Sequence, residues 1–185
     1  MRIDLSDAVF VSIDIQPREP RSWNEDNILP EWKEEGFSLD ELNAAERHFQ
    51  EVMLPNAVKV AAWAQERGLP RVFVHWAGDE DSHRPHGDFD LRPEDHVVPK
   101  TEMNAFPSSD FSGILEALGR KTLLMTGGNT QGCLGRTAKN ALELGYRCVL
   151  VRDASFDCSI LRWPKGISAV GYHLVLETED VLELK

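Results

Sequence analysis

KTLLMTGGNTQGCLGRTAKNALELGYRCVLV, residues 121–151, decides the fold. Lys121–Thr126 is a short apolar run, the pattern of a strand buried on both faces. Gly127-Gly128 breaks it, and a polar, glycine-rich turn leads to Cys133. From Cys133 to Leu144 apolar residues recur at helical spacing, and Gly145 supplies the stop. Arg147–Val151 (RCVLV) is a further apolar run. Strand, helix and strand joined by connectors this short imply parallel strands with the helix packed on the sheet.

The same unit recurs outward from this stretch. Ala8–Ile13 (AVFVSI) reads as a strand ending at Asp14. Asn56–Arg67 reads as a helix, with Val60, Ala61 and Ala64 on one stripe, Pro55 at its start and Gly68 at its stop. Arg71–His75 is a strand, Phe111–Leu118 a helix, His173–Leu176 a strand, and a last helix begins near Glu179. The expected fold is therefore α/β: a three-layer α/β/α sandwich with a mostly parallel, doubly wound, Rossmann-like sheet, residues 1–185 forming one domain. In such folds the ligand site lies beyond the carboxyl ends of the strands.

Composition narrows the function. The chain has 185 residues, 20 Lys+Arg against 31 Asp+Glu, and a formal net charge of −11. That balance argues against nucleic acid or an anionic membrane as partner. No apolar run approaches the ~18 residues of a membrane span, and the N-terminus MRIDLSDAVF lacks a signal core. Cys133, Cys148 and Cys158 form no CxxC pair and leave one thiol unmatched, as in a reducing, cytoplasmic setting. Glu19–Glu51 concentrates ten acids against Arg21, Lys33 and Arg47. It reads as a long excursion and then a polar helix from Leu39, a solvated acidic face in preference to a substrate lid.

Three side chains combine into chemistry. Cys133 opens a helix after a strand, where backbone N–H groups and the helix dipole favour a thiolate. Cys148 and Cys158 fit the ordinary fate of a free cysteine, a small buried hydrophobe. Asp14 ends a strand above an apolar sheet, placed to act as a general base. Lys100, in VVPKTEMNAF, adds a cation that would stabilise both anions. Nucleotide binding finds no support: GGNTQGCL lacks the lysine and hydroxyl of a phosphate-binding loop, and GxGxxG is absent.

VFVSIDIQ, PKTEMNAF and LLMTGGNTQGCLGRTAKNALELGYRCVLVRDAS, in that order between Ala8 and Ser155, resemble the isochorismatase-like cysteine hydrolases. That family includes nicotinamidases, N-carbamoylsarcosine amidases and ureidoacrylate amidohydrolases. The resemblance implies a catalytic triad of Asp14, Lys100 and Cys133, with Lys100 lowering the thiol pKa. It also implies a cis peptide between Gly128 and Asn129, and an oxyanion hole made by the backbone amides of Asn129 and Cys133. The implied activity is cleavage of a C–N bond in a small amide, carbamoyl or ureido compound, without an organic cofactor. Vinyl ether hydrolysis and a catalytically silent binding subunit are the alternatives. Relatives form dimers or tetramers, so a homo-oligomer is expected.

This chain departs from the family pattern in places. The family often carries an aliphatic residue at the position of Gly128. Its DxQxDF pattern is replaced by DIQPRE, and RWPKG around Pro164 cuts short a helix that relatives make long. His75, His83, His86 and His96 lie among Asp79, Asp81, Asp88 and Asp90. Asp81-Ser82-His83 has the local form of a nicotinamidase metal pair but sits too far past its strand, so no metal is expected. Trp23, Trp32, His75, Trp76, Phe106 and Trp163 are candidate pocket walls.

Overall fold

The computed structural model describes residues 3–18, 20–78 and 84–185. Six parallel strands form one sheet: β1 (Ala8–Ile13), β2 (Arg71–Trp76), β3 (His96–Lys100), β4 (Thr122–Gly128), β5 (Arg147–Phe156) and β6 (Leu174–Leu176). Their order is β3-β2-β1-β4-β5-β6. The chain therefore winds one way from β1 to β3 and the other way from β4 to β6. The crevice at the carboxyl ends of β1 and β4 is the switch point where such sheets bind ligands.

Helices cover both faces, as the alternating pattern predicts. On one face α3 (Leu54–Glu66) and α8 (Thr178–Leu182) pack Ala57, Val60, Ala64 and Val181 against Phe10, Phe73, Val149 and Val151. On the other, α5 (Phe111–Leu118) and α6 (Cys133–Glu143) pack Phe111, Leu115, Leu134 and Ala138 against Val9, Val11, Val74 and Met125. β1 is buried along its whole length, which is why AVFVSI carries no polar alternation. The remaining helices are α1 (Pro30–Glu34), α2 (Leu39–His48), α4 (Ala105–Ser108) and α7 (Trp163–Val170).

Several elements differ from the sequence expectation. β3 was not anticipated, because His96–Lys100 contains Pro99 and alternates in burial. It lies at the sheet edge, where a proline's missing N–H is tolerated. Helix α3 begins at Leu54 and continues from α2 through a π-helical turn, Phe49–Met53. Pro164 does not cut a helix short; it occupies the first turn of α7, where no N–H is needed. β5 runs on to Phe156, five residues past the expected end.

One buried contact holds β3 in place. Arg71 is 3% exposed and grips Asp95 with two donors, Nε at 2.8 Å and an Nη at 2.5 Å. It also donates to the carbonyls of Asp90 and Ala61. The fork ties the segment before β3 to the sheet and so sets the position of Lys100, the strand's last residue.

Candidate active site

Asp14, Lys100 and Cys133, about 120 residues apart at the extremes, meet at this crevice. Ile13 lies beside Gly127 in the β1–β4 register, and Trp76 beside Lys100 in the β2–β3 register. Asp14 follows Ile13 with φ +54°, a left-handed conformation that aspartate tolerates better than most residues. Its amide is held by the Val74 carbonyl at 2.9 Å. Lys100 is fully buried, with Nζ 2.9 Å from Asp14 Oδ2 and 4.1 Å from the centre of the Trp76 ring. An isolated ammonium there would be costly, and the carboxylate and ring replace its lost water.

Cys133 is the first residue of α6, half-buried, with its thiol against both Asp14 and Lys100. Burial, then the negative charge and hydrogen bond of Asp14, push the thiol up to about 12, with Lys100 pulling the other way. Lys100 lowers the thiol pKa as expected, but burial and the Asp14 charge outweigh it, so the net shift is upward and not toward the thiolate expected of a helix N-terminus. The thiol therefore sits in direct contact with a carboxylate that can accept its proton.

The loop from β4 to α6 is shaped by close approaches. Gly127 has φ +106°, and a Cβ there would lie 2.0 Å from the Ile13 carbonyl oxygen. A Cβ on Gly128 would lie 2.5 Å from the Phe156 ring. That ring leaves no room for a side chain at position 128, which accounts for the glycine. The Gly128–Asn129 peptide is cis. Among the described residues, the amides of Asn129 and Cys133 donate to no backbone carbonyl or side chain.

A cavity of about 260 Å³ opens beside Asp14, Gly128 and Asn129. Two of the predicted wall residues, Trp23 and Trp32, line it. His75 is buried in β2, Phe106 packs on Phe111, and Trp163 stacks on His48. Trp76 lies against Lys100. The acidic excursion is thus not only a solvated face: Glu25, Asp26, Glu31, Glu34 and Glu35 are exposed while Trp23 and Trp32 form a wall.

Arg18, Glu46, Phe156, Asp157 and Cys158 also line the cavity, and sequence reasoning missed them. Arg18 pairs with Glu46 at 3.1 Å and lies 3.6 Å over the Phe49 ring. Burial pulls its guanidinium below the ordinary arginine range. Nothing periodic marks Arg18. The available signal was its place five residues beyond the end of β1, four past Asp14. Cys158 is half-buried in the wall, not a core hydrophobe.

Among the described residues no three metal-ligating side chains converge. Asp79, Asp81 and His83 lie outside the described residues. No described helix is long and apolar enough to cross a membrane.

A family model described as "Isochorismatase domain" matches residues 31–172. Streptothricin hydrolase of Streptomyces noursei is 42% identical over 62 residues, 34% of this chain and 22% of that protein. Ureidoacrylate amidohydrolase of Variovorax paradoxus is 36% identical over 66 residues, 36% of this chain and 26% of its own length. This chain thus aligns with only about a quarter of these curated relatives' length. The crystal structure of N-carbamoylsarcosine amidase from Thermoplasma acidophilum superposes with a TM-score of 0.67 at 21% identity, covering 94% of this chain and 97% of that one. The YcaC protein of Escherichia coli, an octameric hydrolase of unknown specificity, gives 0.68 at 20% identity, covering 99% and 81%. With the fold matched throughout and the family model spanning most of its length, this chain belongs to the isochorismatase family of hydrolases.

Proposed function

We propose that this protein is a cysteine hydrolase that cleaves the C–N bond of a small amide, carbamoyl or ureido compound through a thioester. The observation that carries the reading is the buried Asp14–Lys100 pair, 2.9 Å apart, with the Cys133 thiol against it. A base, a nucleophile and a fixed cation in contact form a nucleophilic site. The names of the Variovorax relative and of the Thermoplasma neighbour, which specify a ureido and a carbamoyl compound, point to the same bond.

In this mechanism Asp14 takes the thiol proton as Sγ attacks the substrate carbonyl carbon. Lys100 holds the carboxylate in place and offsets the charge that develops on sulfur. The Asn129 and Cys133 amides receive the oxyanion. Asp14 then protonates the departing nitrogen, leaving a thioester, and serves as base again when water attacks it. Asn129 Oδ1, buried and without a partner among the described residues, can accept from a substrate N–H. The cavity admits a small substrate.

A panel of small amides, carbamoyl amino acids and ureido acids, assayed for ammonia release, tests the reading. Turnover by the wild type and none by Cys133→Ala is expected. A Cys133→Ala protein that still hydrolysed its substrate would remove covalent catalysis and favour vinyl ether chemistry.

A further inference from the structure

We propose that Asp157 is a positioning residue for the oxyanion site, its buried carboxylate holding the Asn129–Cys133 loop in register. The proposal rests on the reading of Cys133 as nucleophile and adds a group that does not touch the reacting atoms. Asp157 follows β5 and is 4% exposed. Its Oδ2 accepts from Thr130 Oγ1 and from the Gln131 amide, both at 2.9 Å. Its Oδ1 accepts from the Cys158 thiol at 3.4 Å. Both oxygens face protein donors, so the carboxylate serves the loop although it borders the cavity.

Thr130 and Gln131 are the two residues that follow Asn129, and Cys133 comes two positions later. One carboxylate oxygen that binds the side chain of one and the amide of the next fixes the path of the chain between the two oxyanion amides. Charge-assisted bonds of this kind are about twice as strong as neutral ones. The rest of the packing leaves Thr130 little freedom. Its amide donates to the Phe156 carbonyl at 3.0 Å. A Cβ on Gly135 would lie 2.1 Å from its carbonyl oxygen, and one on Gly166 would lie 2.4 Å from its hydroxyl. Two glycines on α6 and α7 therefore admit Thr130, and Asp157 holds it there.

Oxyanion stabilisation depends steeply on donor position, and removing a donor costs about 10²–10³-fold. A loop that loses Asp157 should lose part of that stabilisation while its thiol stays intact. Two probes of Cys133 separate these effects. p-Nitrophenyl acetate acylates through a tetrahedral oxyanion: Asp14 takes the thiol proton, the C–S bond forms and p-nitrophenolate leaves. Iodoacetamide alkylates by direct displacement of iodide and builds no oxyanion.

Asp157→Ala should lower the acylation rate of Cys133 by about 10²-fold and leave its alkylation rate unchanged. Asp157→Asn keeps an acceptor oxygen for both loop donors and should recover most of the loss. Should Asp157→Ala fail to fold, Thr130→Val removes one of the two bonds and should show the same split to a smaller degree. Equal falls in both rates, or undiminished acylation, would overturn the positioning role. Wild-type protein that is not acylated at Cys133 would overturn the nucleophile reading and the positioning role together, an outcome distinct from the first two.

Discussion

At the carboxyl edge of the sheet, Ile13, Val74 and Met125 are each at most 2% exposed, and Lys100 beside them is fully buried. Residues 20–38, which overhang that edge, are held on different terms. Trp23, Ile28, Phe37 and Leu42 form a small cluster of their own, with the Trp32 ring tilted against Trp23 at a centroid distance of 5.0 Å. The overhang is tethered by a reciprocal pair, the Trp23 amide to Asn43 Oδ1 and Asn43 Nδ2 to the Trp23 carbonyl. Arg162 adds an exposed ion pair with Glu35 at 3.1 Å, a contact worth about 0–1 kcal/mol. Asp14, Lys100 and Cys133 thus stand on the deeply packed sheet edge, whereas two of the cavity's wall residues, Trp23 and Trp32, stand on a segment with a small core of its own, the kind of part that opens locally at lower cost.

The largest effect should come from the rigid side. Asp14→Asn and Cys133→Ala should each lower turnover by about 10³-fold or more with the fold retained, and the double variant should be scarcely worse than either. Steady-state ammonia release with circular dichroism measures this. Losses that multiply in the double variant would show that the two residues act independently and would break the idea of a single preassembled unit.

A smaller effect, with a definite sign, follows from the raised thiol. Below about 12 the thiolate fraction of Cys133 rises about tenfold per pH unit, so its alkylation should climb with pH across the alkaline range. The Asp14 charge raises this pKa and the Lys100 charge lowers it. At a fixed pH of 8, Asp14→Asn should therefore speed iodoacetamide labelling of Cys133 several-fold, although it abolishes turnover. Lys100→Ala should slow the labelling. Slower labelling in Asp14→Asn would mean that proton removal by the carboxylate, not its charge, governs the thiol.

The difference between the two regions also separates what the sequence could tell from what it could not. AVFVSI, RVFVH and TLLMT are buried on both faces, so a continuous apolar run suffices to recognise them, and two site residues, Asp14 and Cys133, follow from where such runs end. HVVPK did not announce a strand, since an edge position lets proline and polar residues in, although it carries Lys100. Arg18, Glu46 and Asp157 are set by tertiary contacts across the crevice, and no local period encodes them. The upward shift of the thiol escaped the sequence for the same reason: the helix N-terminus is visible at Cys133, but the burial that pushes the thiol up is set by tertiary packing.

The overhang can be probed on its own through the cysteines that the reaction does not use. Cys158 is half-buried and packs against the Trp23–Phe37 cluster, whereas Cys148 lies in β5 with no exposure at all. Burial pushes both thiols up to about 12, so access rather than acidity should separate their reactivity. Truncating a fully buried large aromatic costs about 3–5 kcal/mol, and the half-buried Trp32 should cost less than that. Trp32→Ala should therefore loosen the overhang without unfolding the sheet. Labelling of Cys158, followed by peptide mapping, should rise several-fold while Cys148 stays protected as an internal clock for global unfolding. Parallel increases at both cysteines would show that the overhang and the sheet open as one unit, erasing the distinction between them.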